Sequence, residues 1–229
     1  MYKHLFFDLD HTLWDFDRNS IESLCEMYES FRLAEAGITS VEEFCEHFLQ
    51  INKKLWADFD RNIVTHTYIR ENRFPLVFQA LGLPDTAVCS QLSDEYLRLL
   101  PRKPHLTESA KDVLDHLNGR YELHIITNGF NEIQAIKMES SGITDYFNHI
   151  ITNEKASSKK PDRRIFEFAL AVSGATVGES IMIGDNYEAD ILGAQTVGMD
   201  TVFYNPAGLE APQKPTHDIR HWNELMAIL

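Results

Sequence analysis

Two aspartates in the spacing Asp8-x-Asp10, with Thr12 just beyond, stand directly after the apolar run Leu5-Phe6-Phe7. Carboxylates are costly against a core unless something compensates them. One of the pair can attack an electrophile or hold a metal, and the other can move a proton. Read alone, the stretch also suits a strand that ends in an acidic turn with Thr12 as a cap. Three more polar clusters stand in the same relation to apolar runs. Thr127-Asn128-Gly129 follows Leu123 to Ile126 and offers a hydroxyl and backbone N–H groups that can cradle a phosphate. In Lys159-Lys160-Pro161-Asp162, a lysine fixed before a helix start is a point charge for a phosphate. Gly184-Asp185-Asn186 follows Ser180 to Ile183, with Asp190 one helical turn later, and an acid there suits Mg2+, which takes oxygen ligands. Each cluster by itself is equally a turn without function, a solvated basic loop or an exposed helical acid.

The clusters acquire meaning if the apolar runs are strands of one parallel sheet, because such a sheet brings all its carboxyl ends to one edge. From Thr107 onward the pattern alternates. Helices are predicted at Ala110–Leu117, Asn131–Ser141, Pro161–Val172, Tyr187–Val197 and Trp222–Leu229, and strands at Leu123–Ile126, His149–Thr152, Ser180–Ile183 and Thr201–Tyr204. That alternation implies βαβ units, with Leu5–Phe7 as the first strand of the same sheet. Between Asp15 and Leu100 no strand is predicted. Ile21, Leu24, Cys25, Tyr28 and Phe31 follow a helical stripe, Ser40 and Glu43 suit a capping box, a third helix runs from Thr67 to Leu81 with a break or kink at Pro75, and a fourth spans Thr86–Leu100. The expected architecture is therefore a Rossmann-like α/β core from residues 1–15 and 101–229, with an all-helical cap inserted at 16–100.

Composition narrows the function classes. The 229 residues are 44% hydrophobic, and the formal net charge is -14 with no basic block. Nucleic acid polymers and anionic membranes need Lys/Arg clusters, so both are disfavoured as partners. No apolar run reaches a membrane span. Cys25, Cys45 and Cys89 are widely spaced and suit reduced thiols of a cytoplasmic protein. The ten histidines show no ligand pairing. Trp14 and Trp56 are the aromatic residues that could face a nucleobase, although Trp56 and Phe44 sit at helical spacing that favours packing.

Together, Asp8-x-Asp10-x-Thr12, Thr127, Lys160-Pro161-Asp162 and Gly184-Asp185-x-x-x-x-Asp190 resemble the four motifs of the haloacid dehalogenase superfamily, over nearly the whole chain. The helical insertion is similar to the lid of its members with a helical-bundle cap. Ile51-Asn52-Lys53-Lys54-Leu55-Trp56 and Ile126-Thr127-Asn128-Gly129-Phe130 resemble its pyrimidine 5′-nucleotidase branch. The resemblance implies a phosphatase in which Asp8 is the nucleophile and Asp10 the general acid and base. It implies Mg2+ on the Asp8 carboxylate, the Asp10 carbonyl and Asp185, and a phosphate held by Thr127, Asn128 and Lys160. Lys160, rather than Lys159, matches the family position, with Asp190 supporting it or a metal-bound water. Asn52 and Trp56 are candidate specificity residues of the cap, which would close as a lid. The expected partner is a small phosphorylated metabolite, a nucleoside monophosphate foremost, bound by a monomer or weak homo-oligomer. A phosphosugar phosphatase or mutase, or a non-catalytic phosphate-binding regulator, are the alternatives. Dehalogenation is disfavoured by Asp10, because members with that activity lack the second acid.

Overall fold

The apolar runs become the strands of a single sheet because that arrangement buries most of their side chains, with polar turns bounding them. The computed structural model describes residues 1–229, and six strands form an all-parallel sheet of order β3-β2-β1-β4-β5-β6. In chain order the elements are β1 (His4–Phe7), α1 (Phe16–Ser30), α2 (Val41–Asp60), α3 (His66–Ala80), α4 (Ala87–Leu99), α5 (Ala110–Leu117), β2 (Glu122–Thr127) and α6 (Asn131–Ser140). They continue with β3 (His149–Thr152), α7 (Asn153–Ala156), α8 (Arg163–Ser173), β4 (Ser180–Gly184), a π-helical segment Tyr187–Leu192, α9 (Gly193–Gln195), β5 (Asp200–Tyr204), β6 (His217–Ile219) and α10 (Trp222–Ile228). Strand order reverses between β1 and β4, the crevice where open α/β sheets take their ligands.

Two compact units result, Met1–Asp15 with Pro104–Leu229, and Phe16–Lys103. In the first, Phe6, Ile126, Ile151 and Met182 present one sheet face to Ile165 and Phe166 of α8, all of them buried. Each such side chain contributes about 1.5–3 kcal/mol by leaving water. The second unit holds α1 to α4 and no strand. Its centre is an aromatic cluster in which Phe48 lies 5.3 Å from Phe74 and 4.7 Å from Tyr96, ring centre to ring centre. Phe44 is fully buried here, as core. The unit extends past the boundary expected at Pro101, because Lys103 pairs with Glu22 at 2.9 Å and with Glu26, both on α1.

Four details differ from the periodicity. Helix α3 runs unbroken through Pro75, and the carbonyl deprived of its partner belongs to the exposed Glu71. Ser40 caps α2 by accepting from the Glu43 N–H at 3.1 Å, but its own hydroxyl donates to Glu42. The single helix expected over Tyr187–Val197 is a π-helical segment followed by α9, a widening frequent at functional sites. Strand β6 was not expected, since His217-Asp218-Ile219 is too short and polar to signal a strand. No helix is long and apolar enough to cross a membrane.

Candidate active site

Asp8 continues β1, donating its N–H to the Ile183 carbonyl at 2.9 Å. Beyond it the chain folds back through His11, whose φ of 62° lies in the left-handed region, and Trp14 returns its N–H to the Leu9 carbonyl. The turn delivers Thr12 to the end of β4. The Thr12 hydroxyl donates to Asp185 Oδ1 at 2.8 Å and accepts the Asp185 N–H at 3.1 Å. Thr12 is thus a clasp between the two strand ends that flank the switch point.

Asp8, Asp185 and Asp190 bring carboxylate oxygens within 4.8 Å of one another. Lys160 answers two of them, its Nζ donating to Asp8 Oδ1 at 2.5 Å and Asp190 Oδ1 at 2.6 Å. The second Asp190 oxygen accepts the Asn186 N–H at 3.0 Å. Asp190 can approach only because residue 184 is glycine: a Cβ there would lie 2.2 Å from Asp190 Oδ2. One lysine does not balance three acids. Burial, more than the opposing pull of Lys160, pushes Asp8 up to about 7. Burial and then the Asp8 charge push Asp185 up to about 6. Burial likewise raises Asp190 to about 6, against the pull of Lys160. Burial alone would pull Lys160 down, but Asp190 and Asp8 outweigh it and hold the ammonium above its usual range. An all-oxygen set of under-compensated acids fits a hard divalent cation such as Mg2+. Both Asp190 oxygens already have donors, which favours Asp8 and Asp185 as the direct ligands.

Asp10 faces α6. Lys137 Nζ donates to its Oδ1 at 2.5 Å and Gln134 Nε2 to its Oδ2 at 2.9 Å. Burial works to raise Asp10, but Lys137, Gln134 and His11 together hold it below the usual carboxylate range. Thr127, at the end of β2 and 1% exposed, accepts from Gln134 Nε2 at 2.7 Å and from the Gly129 N–H at 3.1 Å. The Gly129 N–H therefore serves the loop itself. Asn128, expected to hold phosphate, spends its side chain on Lys160: Nδ2 donates to the Lys160 carbonyl at 3.0 Å and Oδ1 accepts the Lys160 N–H at 2.8 Å. It fixes the lysine loop rather than offering that amide to a substrate. Gln134 and Lys137 belong to no strand end, so the strand-end pattern does not point to them. The i, i+3 spacing of two polar residues on an otherwise ordinary helix was the available signal.

In the helical unit, Asn52 is buried and accepts from Arg73 Nη1 at 3.0 Å. Trp56 is half-buried and packs edge-on against Phe59 and His66. Trp14, in the sheet unit, is wholly buried with Lys137 Nζ 4.4 Å above its ring, so it offers no face to a base.

The chain is 32% identical to the pyrimidine 5′-nucleotidase PynA of Streptococcus pneumoniae, over 100% of this chain and 95% of that protein. It is 28% identical to the pyrimidine 5′-nucleotidase YjjG of Escherichia coli, over 98% and 96%. Its fold matches the magnesium-bound crystal structure of the HAD-hydrolase YfnB of Bacillus subtilis with a TM-score of 0.88 and 28% identity, over 99% of this chain and 98% of that one. The sequence profile of the haloacid dehalogenase-like hydrolases matches residues 5–204. With the four strand-end clusters gathered on one sheet edge and this profile spanning most of the sequence, the chain belongs to the haloacid dehalogenase-like hydrolases.

Proposed function

We propose that this hydrolase is a Mg2+-dependent phosphomonoesterase that works through an aspartyl-phosphate, with nucleoside 5′-monophosphates, pyrimidine ones foremost, as substrates. The observation that carries the reading is the cluster of Asp8, Asp185 and Asp190 around Lys160, on the sheet that also presents Asp10 and Thr127. In this reading Asp10 takes up a proton as the phosphate dianion enters beside it; an Asp8 oxygen then attacks phosphorus, the ester P–O bond breaks, and Asp10 gives that proton to the leaving oxygen. Water then attacks the acyl phosphate, Asp10 takes its proton, and phosphate leaves with the Asp8 carboxylate restored. Lys160 and Thr127 hold phosphoryl oxygens as charge spreads over them. Asp190 and Asn128 keep Lys160 in place. Asp8, Asp185 and the Asp10 carbonyl would hold Mg2+, whose charge offsets the repulsion between the acids and the phosphate dianion. The relatives PynA and YjjG support the choice of pyrimidine nucleotides.

These groups meet only the phosphate and the metal, so they do not tell a nucleotide from a sugar phosphate. We assign that selectivity to the inserted helical unit, with Asn52 and Trp56 as its candidates. Phosphate release from a panel of nucleotides, phosphosugars and phospho-acids, with Mg2+ and with EDTA, tests the reading. Turnover of pyrimidine monophosphates that EDTA abolishes is expected. No release from any phosphomonoester would refute it, and isomerisation of a phosphosugar would replace it with a mutase.

A further inference from the structure

One side chain outside the strand-end clusters touches both halves of the chemistry. Gln134 lies in α6 and has no exposed surface. Its Nε2 donates to Asp10 Oδ2 at 2.9 Å and to Thr127 Oγ1 at 2.7 Å. A primary amide nitrogen carries two hydrogens, and both have acceptors here. Reversing the amide would set its carbonyl oxygen against the Asp10 carboxylate, so the surroundings dictate its orientation. Oε1 is left buried with no donor from the protein. A polar atom left in that state in a native site calls for an explanation.

Two observations say what the arrangement secures. Thr127 Oγ1 already accepts from Gln134 and from the Gly129 N–H. A hydroxyl has two lone pairs and one hydrogen, so the only capacity Thr127 has left is to donate. A donor is what a phosphoryl oxygen needs. Gly129, for its part, makes room: a Cβ on it would lie 2.1 Å from Gln134 Nε2, and its backbone does not adopt positive φ. The glycine after Asn128 therefore admits the glutamine rather than a special turn.

We propose that Gln134 is a positioning residue that orients the Asp10 carboxylate and turns the Thr127 hydroxyl outward as a donor, tying proton transfer at the leaving oxygen to the grip on the phosphoryl group. This rests on the phosphatase reading of Asp10 and Thr127. Disorienting Asp10 harms esters whose leaving oxygen needs a proton, such as a nucleoside 5′-oxygen. It matters less to p-nitrophenyl phosphate, whose phenolate leaves unaided. Losing the Thr127 orientation harms both.

The test compares kcat/KM for uridine 5′-monophosphate and p-nitrophenyl phosphate in the wild type, Gln134→Met and Gly129→Ala, with melting curves alongside. In both variants the nucleotide should lose about 10- to 100-fold more than the aryl ester, a share of what one proton-transfer group supplies. In an Asp10→Asn background that extra loss should vanish. Should Gln134→Met fail to fold, Gln134→Asn keeps the amide, withdraws it from Asp10, and carries the same comparison. An unchanged ratio of the two esters in folded variants, whether both rates fall or neither does, overturns the proposal. A wild type that releases phosphate from neither ester overturns the phosphatase reading and this inference with it.

Discussion

Lys160 in the sheet unit and Arg73 in the helical unit are equally hidden, at 3% and 4% exposure, yet their surroundings are opposite. Lys160 is sandwiched between Asp8 and Asp190, whose charges hold its proton on. Arg73 meets no carboxylate. Its guanidinium lies 5.3 Å from the Phe48 ring centre and 4.5 Å from that of Tyr96, and Nη1 donates to Asn52. Burial pulls its pKa below the usual value, and its Nε has no acceptor in the protein. Arginine keeps its charge in such a place because its intrinsic pKa is so high, and aromatic faces stand in for a counter-ion. His124 completes the series. It is buried between His4 and His149, and burial first, then those two rings, pushes it down to about 3. The chain thus buries a cation with acids where chemistry needs acids, a cation with aromatic faces where packing needs a filler, and a base stripped of its charge in the sheet.

The largest effect should come from the acid side of the Lys160 cluster. Asp8→Asn is expected to drop phosphate release to background while the protein still folds, because an amide oxygen can still accept from Lys160 but is a poor nucleophile. Near-normal turnover in this variant, with contamination excluded, would rule out covalent catalysis by Asp8.

Removing the cations separates the two regions. Lys160→Met leaves Asp8 and Asp190 buried without their partner and should cost about 3–5 kcal/mol. Urea unfolding at pH 8 in EDTA reads this directly. Arg73→Met orphans no charge and should shift stability by less than about 1 kcal/mol, since a buried ion often yields to an apolar side chain without loss. Equal losses in the two variants would erase the distinction.

His124 predicts a pH dependence. Its folded pKa of about 3 lies below the unfolded 6.5, so its contribution is complete above pH 6.5 and fades as pH falls toward 3. Between pH 7 and pH 5 unfolding should become easier by about 2 kcal/mol on its account. His124→Phe, which keeps a ring to stack on Phe6, should flatten that slope. Identical slopes in the two proteins would assign the acid sensitivity elsewhere.

Asn52→Ala gives the sharpest view of Arg73. It removes the amide acceptor from a buried guanidinium and should cost about 1–3 kcal/mol, lower than wild type and lower than Arg73→Met. If the same variant, still folded, kept the wild-type ranking of nucleotides and sugar phosphates, Asn52 would have no part in selectivity.

Most of the frame was legible beforehand. Leu5–Phe7, Leu123–Ile126 and Ser180–Ile183 are apolar runs cut off by Asp, Thr and Gly, and a parallel sheet is the arrangement that buries such runs on both faces. What stayed hidden depends on contacts between distant residues. Asn128 belongs to the Thr127-Asn128-Gly129 cluster expected to cradle a phosphate, and only the structure reveals that its side chain is bonded to a loop 32 residues on. The Tyr187–Val197 stretch has helical periodicity, and only its packing turns the first part into a π-helical segment with Asp190 pointing inward against Gly184.

Local pattern along the chain specifies which groups are available and in what order. Strand-end acids at 8, 10 and 185, a hydroxyl at 127 and a lysine at 160 follow from local pattern, because strand periodicity and turn chemistry act over a few residues. How those groups are paired depends on the packed fold. That Lys160 is shared between Asp8 and Asp190, that Thr12 clasps Asp185, and that Gln134 holds both Asp10 and Thr127 are outcomes of distance and burial. A buried polar atom must find its partner wherever the packed chain brings one, and no spacing along the sequence states where that is.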